Sequence, residues 1–559
     1  MPSSRRQFLR EIGTTSASLY LSSRLRAGSV SEQTREQIVT CRILDTESRR
    51  ETAARIRLLD AQGKEVVPLG HPQRLADEAR EGDVRFQGRR FAYVNGRFEI
   101  KASSFPLKFQ AIKGYEYQIA EGEISAGSIR EGAITIPLSP WSSLSRKGWY
   151  SGDVHIHHIA PRTCRLEMEA EDLNVANILT SDFTADQEQF EGRVNALSGG
   201  KRLIYVNQEF RNHELGHLCL LNLKKLVEPV KEIRPHHHPL LLGVYDEAHR
   251  QGGYVSWAHF PSWPAVECPL DVAMEKIDGL EILSVLEPRD LPIFMRKVVP
   301  DFESNDGLRL WYRYLNCGFP LTATAGTDKM TTFVTVGSNR VFAQVDGEFN
   351  YQGWINALKA GRTFITNSPL LSFTVNGRGP GSRIAASSKK TRVLEIHATA
   401  ESQLPYHHLE IVCNGQVIAE ATPSGERHRA EIRLEHPLRH SCWIAARAFE
   451  DIGPYRAKGL KFSTVHIEEG TLHGNYYGTR RPETVFAHTS PVYVIRDGEA
   501  IRSWDDARYY VRFIDSAINW LKTEAKFASE RDKRASIDAF LAGRAVYEKR
   551  ANEARRRKS

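Results

Sequence analysis

In the stretch Ser151-Gly152-Asp153-Val154-His155-Ile156-His157, two histidines stand two residues apart on an apolar, strand-like run. Residues i and i+2 of a strand share one face, so both imidazoles can reach one ion. Alone, such a pair is a weak signal. It gains weight because residues of ligand type recur at the ends of later apolar runs: Glu209 after LIYVNQ, His217 opening HLCLLNL, His259 closing YVSWAH and Asp328 closing TATAGTD. In barrels and open α/β sheets, sites form where the carboxyl ends of strands converge. Imidazole and carboxylate together suit Zn, Mn or Fe alike. The chain holds 20 His, many of them between His155 and His259, so a metal site is the first reading.

A second arrangement competes with it. His213-Glu214-Leu215-Gly216-His217 matches H-E-x-x-H, the zinc protease signature, which needs both histidines on one face of a helix. Gly216 would lie inside that helix, and the LCLLNL that follows is of strand type. A zinc metalloprotease is therefore the runner-up enzyme: a helix over 213–217 would favour it, and a turn followed by a strand would favour the convergent site. His236-His237-His238 sits between prolines and reads as a solvated loop, or else as a pocket rim. Trp257, Phe260 and Trp263 surround His259 and suit either an apolar or sugar-shaped pocket or plain core packing.

The elements that must position these residues follow from texture. With 559 residues, 41% hydrophobic and 26% charged, the chain is an ordinary globular composition of several domains. No apolar run approaches the ~18 residues of a membrane-spanning helix. Seven Cys are too few for a disulfide scaffold, although Cys413 and Cys442 lie on two expected strands and are either a pair or buried thiols. The net charge of +8 is partly an end effect, from Arg5, Arg6, Arg10, Arg24 and Arg26 and from the basic tail. No aromatic-and-basic groove motif accompanies it, so no nucleic-acid partner is expected. Ser4-Arg5-Arg6-Gln7-Phe8-Leu9-Arg10 resembles a twin-arginine export signal, which would make 1–30 an address and the protein periplasmic or extracytoplasmic. Residues 31–146 read as short alternating strands and resemble the transthyretin-like or carboxypeptidase-regulatory-like β-sandwiches of secreted enzymes. Over 147–369, strands alternate with helices, which argues a parallel α/β core of about seven strands, better suited to a barrel than to a small open sheet. A second β-sandwich is expected over 370–470, and a helical segment with a basic tail over 471–559, where an aromatic stripe from about Trp504 onward reads as a docking face.

The order D-x-H-x-H, then S-D, then Q-E with G-H, then W-A-H, then G-T-D resembles the PHP (polymerase and histidinol phosphatase) superfamily, and more narrowly the CehA/McbA-like metallohydrolases. The flanks GWYSGDVHIH and LKAGRTFITNSPLLSFTVNG agree with it, over roughly residues 147–376. The resemblance implies a distorted (β/α)7 barrel with metals at its mouth. It implies two divalent ions: His155, His157 and Asp328 on one, His217 and His259 on the other, and Glu209 bridging both. Two departures stand out. Phe183 and Met330 occupy places where the family's motifs carry His, and neither can replace imidazole on a hard divalent ion, so a two-metal site is expected with the third position lost or repurposed. The implied activity is hydrolysis of an ester, carbamate, amide or phosphoester on a small-molecule or saccharide-like substrate, with phosphate monoesters disfavoured. Asp182, Lys329, Arg340 and Arg211 are the candidates for protonating or pairing the leaving group. Asp153 is expected to orient a ligand His rather than bind metal, and Glu281 either faces the mouth or is a satisfied rim carboxylate. The alternative of a different class is a non-catalytic binding protein that keeps its metals as structural ions.

Overall fold

The computed structural model describes residues 37–450 and 485–556, apart from 77–78, 87–88, 130–131, 182–188, 213, 231–236, 262–264, 285–297, 300–306, 391–392 and 426–427. The proposed signal segment 1–30 lies outside them, as do Asp182, Phe183, His213, His236 and Trp263. The N-terminal residues form two facing sheets. In one, Gln37–Asp45 lies between Arg97–Ala102, antiparallel, and Ala133–Leu138, parallel. The other runs Val84–Phe86, Arg89–Val94, Ala54–Leu59, Leu107–Ile112, Ala120–Ile124. Arg97–Ala102 alternates exposed and buried residues along its length, the signature of a strand with one face on a core. Val39, Ile43 and Ile100 from one sheet meet Ile56, Leu58 and Ala111 from the other in that core. Each large aliphatic side chain buried there stabilises the fold by roughly 1.5–3 kcal/mol.

The second architectural unit is a 15-stranded mixed sheet. Seven of its strands lie side by side in chain order: Trp149–Ile156, Val175–Thr180, Leu203–Asn212, Gly216–Leu221, Tyr254–Trp257, Gly279–Leu283 and Thr322–Ala325. They curl into a half-barrel, far enough that Ile156 of the first bridges Lys329 beyond the seventh, where the His157 N–H donates to the Lys329 carbonyl at 2.9 Å. The second, fourth and sixth strands are buried at every position, so their sequences read as unbroken apolar runs. The expected parallel order needs correction. The fourth strand is antiparallel to both neighbours: only a tight turn separates it from the third, too short for a crossover helix, whereas the connection to the fifth is long and carries the helix Leu242–Arg250.

That turn also decides the H-E-x-x-H segment. Asn212 Oδ1 accepts from the N–H groups of Glu214 (3.1 Å) and Leu215 (2.9 Å), and the strand begins at Gly216. Gly216 has φ +151° and stands so close to Trp257 that a Cβ there would meet the indole at 2.1 Å. The helix that a zinc protease requires is not formed by the described residues of this segment. His237 and His238 are not a solvated loop either. His237 is buried, its ring edge-on to Trp520 at 4.8 Å and its Nδ1 accepting from Lys526 N at 2.8 Å, while His238 Nδ1 bonds Ser536 Oγ at 3.0 Å.

Beyond its first strand the same sheet continues through Arg340–Gln344, Thr363–Thr366, Phe486–Thr489, Cys442–Phe449, His408–Cys413 and Gln416–Ala421. A three-stranded sheet, Leu370–Val375, Val393–Glu401 and Ala430–Pro437, packs over this extension. The expected C-terminal sandwich is thus one layer of the large sheet with a cover, and Phe486–Thr489 and Val492–Arg496, expected in a helical segment, are strands of it. Helices Trp504–Thr523 and Glu530–Arg556 follow. Their aromatic face is a docking face: Tyr510 stacks on Tyr314 at 4.2 Å, and the Tyr547 hydroxyl donates to the Pro269 carbonyl at 2.9 Å. All seven cysteines are free thiols, Cys413 and Cys442 included. Among the described residues no helix is long and apolar enough to cross a membrane.

Candidate metal centre

The strand ends bring six side chains together. His155 and His157 share one face of the first strand's end, and their Nε2 atoms lie 3.0 Å apart. Asp328, just past the seventh strand, places Oδ1 3.3 Å from His155 Nε2 and 3.6 Å from His157 Nε2. Glu209 arrives from the third strand. Its Oε1 is 3.1 Å from His217 Nδ1 and 3.6 Å from His259 Nε2, while its Oε2 is 3.3 Å from His157 Nε2. Two groups result, His155–His157–Asp328 and Glu209–His217–His259, each with ligand atoms close enough to hold a metal ion. All six residues are buried. His259 and Asp328 lie just past their strands, each with a backbone at positive φ, +34° and +45°. Non-glycine residues are uncommon in that region, and Asp and His are among those that enter it most readily.

The hydrogen bonds around the rings fix what the center can hold. His157 Nδ1 lies 2.8 Å from the Leu179 carbonyl, which can only accept, so Nδ1 is a donor and Nε2 is turned into the cage. His155 Nδ1 lies 3.1 Å from Glu281 Oε2, which holds that ring the same way. With both Nδ1 positions engaged by a carbonyl and a carboxylate, the pattern that metal-ligating histidines show, the two Nε2 atoms face one space lined by Glu209 and Asp328, and this mixed donor set fits a divalent metal ion. In its absence, burial opposes a charge on His155, yet Cys219, Glu281 and Asp328 together hold its proton affinity well above the ordinary imidazole range. Glu209 shows the converse: burial would raise its carboxyl, but the bonds from His157, His217 and His259 hold it well below the usual carboxylate range. His217 is pushed down to about 3, chiefly by burial, which keeps it neutral and ready to ligate.

Around the cage stand residues that position it. Asp153 accepts from the N–H groups of His155 (3.0 Å), Thr327 (3.0 Å) and Gly337 (2.8 Å) and from the Thr327 hydroxyl (2.6 Å). It orients the backbones on which the ligands His155 and Asp328 are carried, and burial pushes it up to about 6. Glu281, fully buried, braces His155 through Nδ1 and also accepts from the His259 N–H. Cys219 Sγ, two residues beyond His217 on the same strand face, lies 3.5 Å from His155 Nδ1. The sequence offered that i+2 spacing, but nothing in it pairs Cys219 with a histidine 64 positions away.

Two expected catalytic residues turn elsewhere. Lys329 is fully buried, donating from Nζ to the carbonyls of Thr331 (3.0 Å) and Val334 (2.9 Å) with Glu167 3.9 Å away. An ammonium that finds three oxygen partners inside the protein gains nothing by reaching into the site. Arg340 donates to the carbonyls of Gly337 (2.6 Å) and Glu171 (3.1 Å) and lies over the Tyr115 ring at 4.2 Å, a buried joint between sandwich and half-barrel. Asp182 lies outside the described residues. Arg211 does border the center, with Nε 3.7 Å from Glu209 Oε2.

No family model matches the sequence, and no curated protein matches it either. Among solved structures, the crystal structure of PsfC from Pseudomonas syringae PB-5123 aligns over 37% of this chain and 88% of its own, at 13% identity and a TM-score of 0.26. So slight a likeness carries no argument about function.

Proposed function

We propose that the protein is a metal-dependent hydrolase whose half-barrel is a distorted (β/α)7 barrel of PHP type, similar to the CehA/McbA-like enzymes, holding two divalent ions. The observation that carries this reading is Glu209: one carboxylate presents Oε1 to His217 and His259 and Oε2 to His157, the posture of a ligand shared by two ions. His155, His157 and Asp328 would hold the first ion and His217 and His259 the second, with Zn, Mn or Fe suited to the donors. Bound there, such ions supply a water acidic enough to act as nucleophile near neutral pH and a Lewis acid for the oxygen under attack. The protein's own residues do the rest. Glu281 and the Leu179 carbonyl fix the imidazole tautomers, Asp153 fixes the backbone that carries them, and Arg211 sets a positive charge beside Glu209.

The substrate class is an ester, carbamate, amide or phosphoester. Met330, where the resembled motif has His, supports the reading that no third ion assists, which disfavours phosphate monoesters. Export by the twin-arginine route belongs to the same proposal. The test is paired substitution: Glu209→Ala and Asp328→Ala each lower bound metal and cut hydrolysis of aryl esters at least about 100-fold. Hydrolysis that survives both changes overturns the enzyme reading.

A further inference from the structure

Among the described residues the N-terminal sandwich gives no ligand to the cage, yet one of its loops is stapled to the site's mouth. Ala79 O accepts from Thr332 N at 2.9 Å, and Arg85 N donates to Thr332 O at 3.0 Å. Between them, Glu81 Oε2 accepts from Ala160 N at 2.7 Å and Gly82 N donates to Glu167 Oε1 at 3.1 Å. The loop therefore grips both segments that carry the first ligand group: the one after the first strand, with His157, and the one after the seventh, with Asp328. At its tip Arg80 places Nη1 3.1 Å from Nδ1 of His158, the residue after His157, and the two rings of His157 and His158 lie 6.2 Å apart.

Arg80 is exposed, and among the described residues it forms no ion pair and no other hydrogen bond. An arginine on a free surface is ordinarily just solvated. This one differs because its loop is bonded at Ala79, Glu81 and Gly82 and its own Nη1 is held at His158 Nδ1, next in sequence to His157, which leaves most of the five donors of its fork available. The nearby lysine, Lys329, is committed to Glu167 and two carbonyls and cannot serve instead.

We propose that Arg80 is a specificity-determining residue that binds an anionic oxygen group, carboxylate or phosphoryl, on the substrate, so that the N-terminal sandwich completes the site. The substrate then carries a negative charge near the bond that is cleaved. The proposal rests on the hydrolase reading for the word substrate, but its test does not. The full-length, metal-loaded protein is titrated by calorimetry with succinate and, separately, with inorganic phosphate, in the wild type, Arg80→Ala and Arg80→Lys. The wild type binds one of the two anions, which identifies the carboxylate or phosphoryl class. Arg80→Ala weakens that binding about tenfold or more, and Arg80→Lys by less, with melting temperature unmoved because the side chain is exposed. Binding of neither anion by the wild type, or equal affinity in Arg80→Ala, overturns the proposal. Arg80-dependent binding without hydrolysis of any ester would leave it standing while the hydrolase reading fails. Ester hydrolysis with anion affinity indifferent to Arg80 would do the reverse.

Discussion

At the scale of single residues, the center divides into groups that would touch metal and groups that aim them, and the two kinds respond differently to substitution. Glu281→Gln keeps the shape of the side chain but removes the charge that braces His155. We expect metal affinity to fall by about 10- to 100-fold with the fold intact, read by competition with a chelating indicator alongside circular dichroism. Lys329→Met is the contrast. It strips Glu167 and two carbonyls of a buried partner without touching a ligand, so it lowers stability by about 1–3 kcal/mol and leaves metal content unchanged. Loss of metal with no change in melting would return Lys329 to the site. The ligand types were legible because imidazoles and carboxylates at the ends of apolar runs have few other reasons to recur there. The fates of Lys329 and Arg340 were not, because a sequence does not show which carbonyls a long cationic side chain will find once it is buried.

At the scale of elements, the site is made where strands end, and glycine decides how close they come. Gly326 sits where a Cβ would meet Glu281 Oε1 at 2.3 Å and His155 Cβ at 2.5 Å. Gly326→Ala therefore pushes the brace off His155, and we expect lower metal occupancy together with a lower melting temperature; an unchanged metal content would contradict the packing described. Strand existence was readable from apolar runs such as VANILT and HLCLLNL, since strands covered on both faces leave that trace. Strand direction was not. A connection as short as the turn over Glu214 and Leu215 makes its two strands antiparallel, but the fourth and fifth are antiparallel across a long connection that carries a helix, and nothing in the local pattern announces that.

At the scale of the whole molecule, the sandwiches and helices are bonded into the half-barrel. Arg55 and Tyr93 of the N-terminal sheets meet Glu171 of the half-barrel at 2.6 and 2.8 Å. On the other side His488 joins sheet to helix: its Nδ1 donates to the Thr489 carbonyl and its Nε2 accepts from the Tyr312 hydroxyl at 2.5 Å. Burial, reinforced by Arg447, pushes His488 down to about 3 against the pull of the Thr489 carbonyl. In the unfolded chain it titrates near 6.5, so between these values the unfolded state binds the extra proton. The stabilising effect of a neutral His488 is complete above about pH 6.5 and is lost progressively as pH falls toward about 3. His488→Gln should accordingly flatten the decline of melting temperature between pH 6.5 and 4; an unaltered slope would refute the assignment. The separate sandwich at the C-terminal end was expected from alternating strands, but a sheet shared with the half-barrel is a long-range pairing that local pattern cannot reveal.

The most direct test of the central claim is metal content. Elemental analysis of the full-length protein, purified without chelators and reconstituted with Zn or Mn, should find close to two ions per chain, falling to one or none in Glu209→Ala. A reconstituted protein that holds no metal above background, or a Glu209→Ala variant that retains the full complement, would contradict it.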